Sequence, residues 1–316
     1  MIDVDRPKIE GSVAVGTQAH DKKKRRMGFA EFGSASGRPI LWFHGTPGAR
    51  RQIPLEAREY AAARGVRLIG IDRPGVGSST AHPYDSVRDF CADLADVLDA
   101  LGIDDFGVIG VSGGGPYALA VAHEFGPRVH VAGIVGGVAP TVGPEAIGGG
   151  AVALARHAAP VLPVLGAPVG QAISTALRFV RPIAEPAILL YGRLSPAADR
   201  ELLSRPEFRA MFLDDLLSGG SHRMEAPFND VRVFSRDWGF SVTDITTPVR
   251  WWHGDRDHIV PYAHGEHVVS LLPDAKLFSL HGESHLSLFG MSTDVMDELL
   301  AVWDQATVAP PSPAGE

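Results

Sequence analysis

One short stretch, Val108-Ile109-Gly110-Val111-Ser112-Gly113-Gly114-Gly115-Pro116, constrains the fold more than any other part of the chain. An apolar run over 106–111 stops at a serine ringed by glycines, and a segment of helical character over 117–125 follows. The reading is strand, abrupt turn, helix, with Gly110-Val111-Ser112-Gly113-Gly114 filling the pattern G-x-S-x-G. The glycines have a mechanical reason. A serine on so sharp a turn adopts a strained backbone conformation, so the residues two before and two after it must be small. Its hydroxyl is then lifted clear of the sheet, and the helix N-terminus beneath it offers free N–H groups to a developing negative charge. The same letters also suit a glycine-rich loop that only turns, or a phosphate cradle. No Gly-Lys-Ser/Thr follows, which argues against the cradle.

The rest of the chain repeats this strand–helix rhythm. Residues 12–17 and 26–32 read as a hairpin around the basic run Lys22-Lys23-Lys24-Arg25-Arg26, expected to be its solvated end. Apolar strands of the buried type are expected at 39–43, 66–71, 106–111, 129–138, 248–252 and 275–280. Helices are expected at about 50–64, 86–101, 117–125, 262–272 and 292–305, the second capped by Asp85 or Ser86. Such alternation predicts the α/β class, with a mostly parallel sheet covered by helices on both faces. The rhythm lapses over 140–237, which is rich in Ala, Gly and Pro and carries no strand pattern. The expected organisation is a core at 11–139 and 239–306, a helical cap insertion at 140–238 over the strand ends, and a polar, disordered tail at 307–316.

Composition excludes several classes of partner. A net charge of −8 and a pI near 5.9 do not make a nucleic-acid surface. Cys91 is the only cysteine, so no intrachain disulfide forms; in a helical stretch it reads as a small buried hydrophobe. The run 158–177 is uncharged, but Pro160, Pro163, Gly166, Pro168 and Gly170 interrupt it, so no stable membrane insertion is expected. Residues 1–10 lack the apolar core of a signal peptide. A cytoplasmic setting is expected, and the oligomeric state stays open.

A serine nucleophile needs a base, and the base needs a group to orient it. The strand ending at Trp252 runs into His253-Gly254-Asp255-Arg256-Asp257-His258-Ile259-Val260-Pro261, and the next is followed by His281-Gly282-Glu283-Ser284-His285. An acid after one strand and a histidine after the following one give the order Ser…Asp…His. Five motifs stand in sequence: His44 to Gly48, Asp72 to Gly77, Gly110 to Gly114, Gly254-x-x-Asp257-x-x-x-Pro261 and Gly282-x-x-His285. With these residues the chain resembles the α/β-hydrolases from about Gly11 to Ala306, in the branch with His-Gly-x-Pro-Gly after the third strand.

That resemblance implies roles. Ser112 is the nucleophile, His285 the proton carrier and Asp257 the orienting acid, with Asp255 as the rival acid and His281 and His258 as rival bases. The oxyanion hole falls to the N–H groups of Gly113 and Thr46. His44 is implied to hold its loop, and Asp72 to Gly77 to make a structural turn. His264 and His267, at i and i+3, suit metal ligands on spacing alone, but no His-Glu-x-x-His or cysteine pair accompanies them; surface histidines and no metal are the expectation. The activity implied is cofactor-independent serine hydrolysis of a neutral, small-molecule ester. C–C-bond hydrolases, lactonases, perhydrolases, hydroxynitrile lyases and proline iminopeptidases share the triad, although Thr46 stands where iminopeptidases usually carry glycine. The serine disfavours haloalkane dehalogenases and epoxide hydrolases, which use aspartate. A ligand sensor without turnover on the same frame is the non-enzymatic alternative. The apolar stretch 158–180 is expected either to line an acyl pocket or to form the cap's own core.

Overall fold

Successive residues of a strand point to opposite faces, so a strand buried on both sides must be apolar throughout. The computed structural model, which describes residues 6–16, 25–150, 153, 157, 171, 172, 175, 184–219 and 225–308, shows this division. Its strands are β1 (Ile9–Val15), β2 (Arg25–Gly33), β3 (Arg38–Phe43), β4 (Val66–Ile71), β5 (Phe106–Val111), β6 (Val129–Val135), β7 (Val249–Gly254) and β8 (Ala275–Leu280). In β3, Ile40 and Trp42 enter one core while Leu41 and Phe43 enter the other. Leu68 and Ile109 join the first, Ile69 and Val108 the second. Each large apolar side chain so buried contributes roughly 1.5–3 kcal/mol.

The strands form one sheet in the order β1-β2-β4-β3-β5-β6-β7-β8. β1 pairs with β2 and β2 with β4 antiparallel; every pairing from β4 through β8 is parallel. Helices α1 (Leu55–Ala63) and α9 (Ser292–Val308) cover one face, and α2 (Phe90–Leu101), α3 (Gly115–Glu124) and α8 (Ala263–Leu271) the other. Between β6 and β7 come α4 (Ala184–Leu194), α5 (Ala197–Ser204), α6 (Pro206–Gly219) and α7 (Glu225–Phe234). After β3 the chain steps outward to β4, then returns to lay β5 on the other side of β3. Strand order reverses there, and the loops leaving β3 and β5 diverge to open a crevice.

Several boundaries differ from the sequence expectation. Neither Asp85 nor Ser86 caps a helix: both donate backbone N–H bonds to Asp89 Oδ2, at 2.9 and 3.0 Å, in a turn that precedes Phe90. Helix α1 starts only after Pro54, because the carbonyls of Arg51 and Ile53 are taken by the buried Arg58 side chain. β6 ends at Val135, where Gly136 turns to a φ of 57°. Arg25 is not solvated. It lies buried, with Nη2 2.8 Å from Asp93 Oδ1, and Tyr84 donates to the same carboxylate at 2.6 Å. Lys22 to Lys24, most of 158–180 and the tail from 309 lie outside the described residues. Cys91 packs in the core on α2, and burial raises its thiol pKa. No helix among the described residues is long and apolar enough to cross a membrane.

Candidate active site

Ser112 sits where β5 gives way to a turn of 3-10 helix leading into α3. Its φ of 52° makes it the one non-glycine with positive φ among the described residues, a strained conformation that persists only when its surroundings enforce it. A Cβ on Gly110 would stand 2.5 Å from Gly114 O and 2.7 Å from Ala118 Cβ, and one on Gly114 would collide with the Phe43 carbonyl. The flanking glycines are small because neighbouring backbone fills the space a side chain would need.

Two loops bring partners to this serine from the far half of the sheet. His285 Nε2 lies 2.9 Å from Ser112 Oγ, and His285 Nδ1 lies 2.6 Å from Asp257 Oδ2. The other oxygen of Asp257 accepts the N–H groups of Ile259 and Val260, both at 2.9 Å. A second buried ring, His253, has Nε2 3.5 Å from Asp257 Oδ2 and 2.9 Å from the Val260 carbonyl. Burial alone would raise the Asp257 carboxyl; His253, His285 and the Val260 N–H overcome it and hold the group far below the usual carboxylate range. Asp255, the rival acid, is exposed: it lies 2.6 Å from His281 Nδ1 and accepts the Gly282 N–H at 2.8 Å, away from Ser112. His258 is exposed as well.

The loop after β3 closes the site from the other side. Thr46 presses on the turn so closely that a Cβ on Gly113 would collide with its hydroxyl. His44 is buried and structural: its Nδ1–H donates to Gly45 O at 2.8 Å, and Nε2 accepts the Arg73 N–H at 3.3 Å. Burial, then the Arg73 charge, lowers its pKa well below that of an ordinary histidine, so the ring stays neutral. Asp72 is structural too, accepting Arg50 N–H at 2.7 Å and Ser78 N–H at 3.3 Å.

Arg73 and Asp230 are the residues that sequence reasoning missed. The Arg73 guanidinium donates to His44 O at 2.5 Å, Gly45 O at 2.8 Å and Thr46 Oγ1 at 2.9 Å, and pairs with Asp230 Oδ2 at 2.7 Å. Asp230, on α7, also accepts the hydroxyls of Thr46 and of Tyr117, the latter at 2.8 Å. A buried pair so fully hydrogen-bonded fixes the backbone around Thr46. The Asp72-Arg73-Pro74-Gly75 turn was the available signal for Arg73; Asp230 stands 157 positions away with nothing local to mark it.

A cavity of about 230 Å³ opens over Ser112 and His285. Thr46 and Gln52 line it from the core; Tyr191, Phe212 and Asp215 come from α4 and α6; Leu286 and Phe289 follow the histidine. Among the described residues no group of three or more His, Cys, Asp or Glu is placed to hold a metal ion. His264 is not on the surface as expected. It is buried, accepts the Ala139 N–H at Nδ1 at 3.1 Å, and burial with His253 nearby pulls its pKa down to about 4. His267 is half-buried and its Nε2–H donates to Glu145 O at 2.9 Å.

Residues 38–148 match the family model described as alpha/beta hydrolase fold. A stretch of 104 residues is 35% identical to proline iminopeptidase from Neisseria gonorrhoeae, spanning 31% of this chain and about a third (32%) of that protein's length. Among solved structures, the epoxide hydrolase CorEH superposes with a TM-score of 0.68 at 17% identity, over 94% of this chain and 99% of that one. An esterase from Rhodococcus sp. superposes with a TM-score of 0.64 at 20% identity, over 96% and 99%. At such identities these structures share a fold and carry no activity across. Sheet order, the turn at Ser112, the match over residues 38–148 and these superpositions agree: the chain has the α/β-hydrolase fold.

Proposed function

We propose that this chain is a serine hydrolase that cleaves neutral carboxylic esters through an acyl-enzyme. The hydrogen-bonded run Asp257–His285–Ser112, at 2.6 and 2.9 Å, carries the reading. Ser112 Oγ attacks the ester carbonyl carbon while His285 Nε2 takes the hydroxyl proton. The negative charge that develops on the carbonyl oxygen is met by the N–H groups of Gly113 and Thr46. As the tetrahedral adduct collapses, the C–O bond to the alcohol breaks and His285 returns the proton to the departing oxygen. Water, deprotonated by His285, then attacks the acyl carbon, releasing the carboxylic acid and restoring Ser112. Asp257, kept ionised by its donors, holds the proton on Nδ1, leaves Nε2 free to accept, and stabilises the imidazolium between steps. No cofactor enters these steps. The helices between β6 and β7 act as a cap, and their apolar contribution to the cavity favours uncharged acyl groups. A cytoplasmic setting accords with the lone, buried cysteine.

Labelling with a fluorophosphonate, followed by peptide mapping, tests the assignment together with turnover of p-nitrophenyl acetate and butyrate. The adduct is expected on Ser112, and Ser112→Ala should lower kcat by at least about 10⁴-fold. Labelling of another serine overturns the assignment, and a burst with little turnover favours the sensor. The match to an iminopeptidase makes an N-terminal prolyl p-nitroanilide the second substrate to try; faster turnover of it than of the esters replaces the ester reading.

A further inference from the structure

The cavity over Ser112 holds a buried acid that the chemistry above leaves unused. Asp215, on α6, is buried, and its Oδ1 accepts the Ala49 N–H at 3.0 Å. Its Oδ2 is equally buried and has no hydrogen-bond partner, although the residue lines the cavity together with Ser112 and Thr46. A buried polar atom left unmatched is rare in a folded protein and calls for an explanation. Pro47, Phe212 and Phe289 are apolar there, and Gln52, the polar neighbour, approaches the carboxyl without making a hydrogen bond to Oδ2. The carboxyl is also disposed to be neutral. Burial above all, with Asp214 adding to it, pushes it well above the usual carboxylate range, and the Gln52 side chain and Ala49 N–H only partly oppose this. A neutral carboxyl presents an O–H donor and an acceptor side by side. A hydroxyl can accept from the one and donate to the other, whereas an ammonium group would find no ready counter-charge.

We propose that Asp215 is a specificity determinant whose buried carboxyl hydrogen-bonds a hydroxyl group carried on the acyl or the alcohol portion of an uncharged ester bound at Ser112. The proposal rests on the ester-hydrolase reading and names the substrate class within it. A hydroxylated ester satisfies the unmatched oxygen, while its deoxy counterpart leaves it buried and bare, which is the situation in which enzymes discriminate most strongly.

Isosteric pairs test it in a pH-stat: ethyl 3-hydroxybutyrate against ethyl 3-methylbutyrate for the acyl side, and 2-hydroxyethyl butyrate against propyl butyrate for the alcohol side. Ethyl 3-aminobutyrate supplies the cation. The wild-type enzyme should prefer the hydroxylated member of at least one pair by roughly tenfold or more in kcat/KM. Asp215→Leu should erase that ratio. Asp215→Asn should keep most of it, because the amide still accepts from Ala49 and still offers a donor. Asp215→Ala replaces the leucine variant if thermal melting shows the latter unfolded. A ratio within one variant cancels differences in overall rate, and comparing that ratio between variants cancels differences in ester reactivity. Equal ratios in wild type and Asp215→Leu overturn the proposal, as does a preference for the amino ester that Asp215→Asn abolishes. Ester turnover without an Asp215-dependent ratio defeats the proposal alone. Inertness to every ester, with Ser112 unlabelled by fluorophosphonate, defeats the ester reading and the proposal with it.

Discussion

Asp257, on the loop after β7, and Asp215, on α6, are both buried aspartates serving one site from different parts of the chain: Asp257 stands behind His285, and Asp215 lines the cavity. Asp257 accepts two backbone N–H groups and the ring of His285, with His253 beside it, and burial fails to neutralise it. Asp215 accepts one backbone N–H, keeps an oxygen without a partner, and is pushed toward the neutral acid. Burial is common to both, so it does not decide the charge. The number of donors supplied to the carboxylate does.

The largest break in this comparison should come from Asp257→Asn, which preserves shape but removes the charge that four neighbours support. We expect kcat to fall by on the order of 10²- to 10⁴-fold in steady-state ester hydrolysis. A loss no greater than that of a surface aspartate would mean that the donors around Asp257 serve stability and not the reaction.

Asp230 extends the comparison to a third buried aspartate, one satisfied by a full ion pair. Asp230→Ala strands the Arg73 guanidinium and should cost about 3–5 kcal/mol in urea unfolding. Where the variant stays folded, kcat should fall more than KM rises, because Thr46 loses its anchor. Unchanged kcat with lowered stability would confine Asp230 to a structural role.

The pH dependence of stability sharpens the contrast. The raised pKa of Asp215 means that the folded chain binds a proton the unfolded chain has released, so its contribution is complete below the ordinary carboxylate pKa, about 4. It is lost as pH rises through the folded-state value, with a slope of at most about 1.4 kcal/mol per pH unit. Asp215→Asn cannot ionise, so its stability relative to wild type should increase between pH 4 and 8 in parallel denaturant titrations. A constant difference would show that Asp215 ionises normally. The smallest effect belongs to Asp255→Asn: with its carboxylate at the surface beside His281, kcat should stay within about twofold of wild type.

The parts legible in the sequence are those whose cause is local. The strands announce themselves because burial on both faces demands unbroken apolar runs, and the turn at Ser112 because close backbone approach forbids side chains at Gly110 and Gly114. The order Ser…Asp…His is legible in the residues themselves, while Asp257 and His285 are singled out from their rivals only by resemblance to the α/β-hydrolase motifs; His285 lies within hydrogen-bonding distance of both Ser112 and Asp257. Helix starts were less legible, since a side chain such as Arg58 or Asp89 takes backbone groups that periodicity assigns to the helix. The burial of Arg25 and His264 depends on partners in remote elements, Asp93 and Ala139. Asp215 and Asp230 were invisible for the same reason: each is one acid on a charged helix, and its meaning lies in the loop it meets.

That loop, from His44 to Ala49, is gripped twice from outside the sheet: Asp230 takes the Thr46 hydroxyl and Asp215 takes the Ala49 N–H. The helices between β6 and β7 are therefore not an interchangeable module. Grafting the corresponding segment of a relative onto this core would transfer a new cavity wall, but without acids in register with these two it would also unfasten residues 44–49 from above. A chimera designed for altered selectivity would have to carry both carboxylates, or rebuild the loop to stand without them.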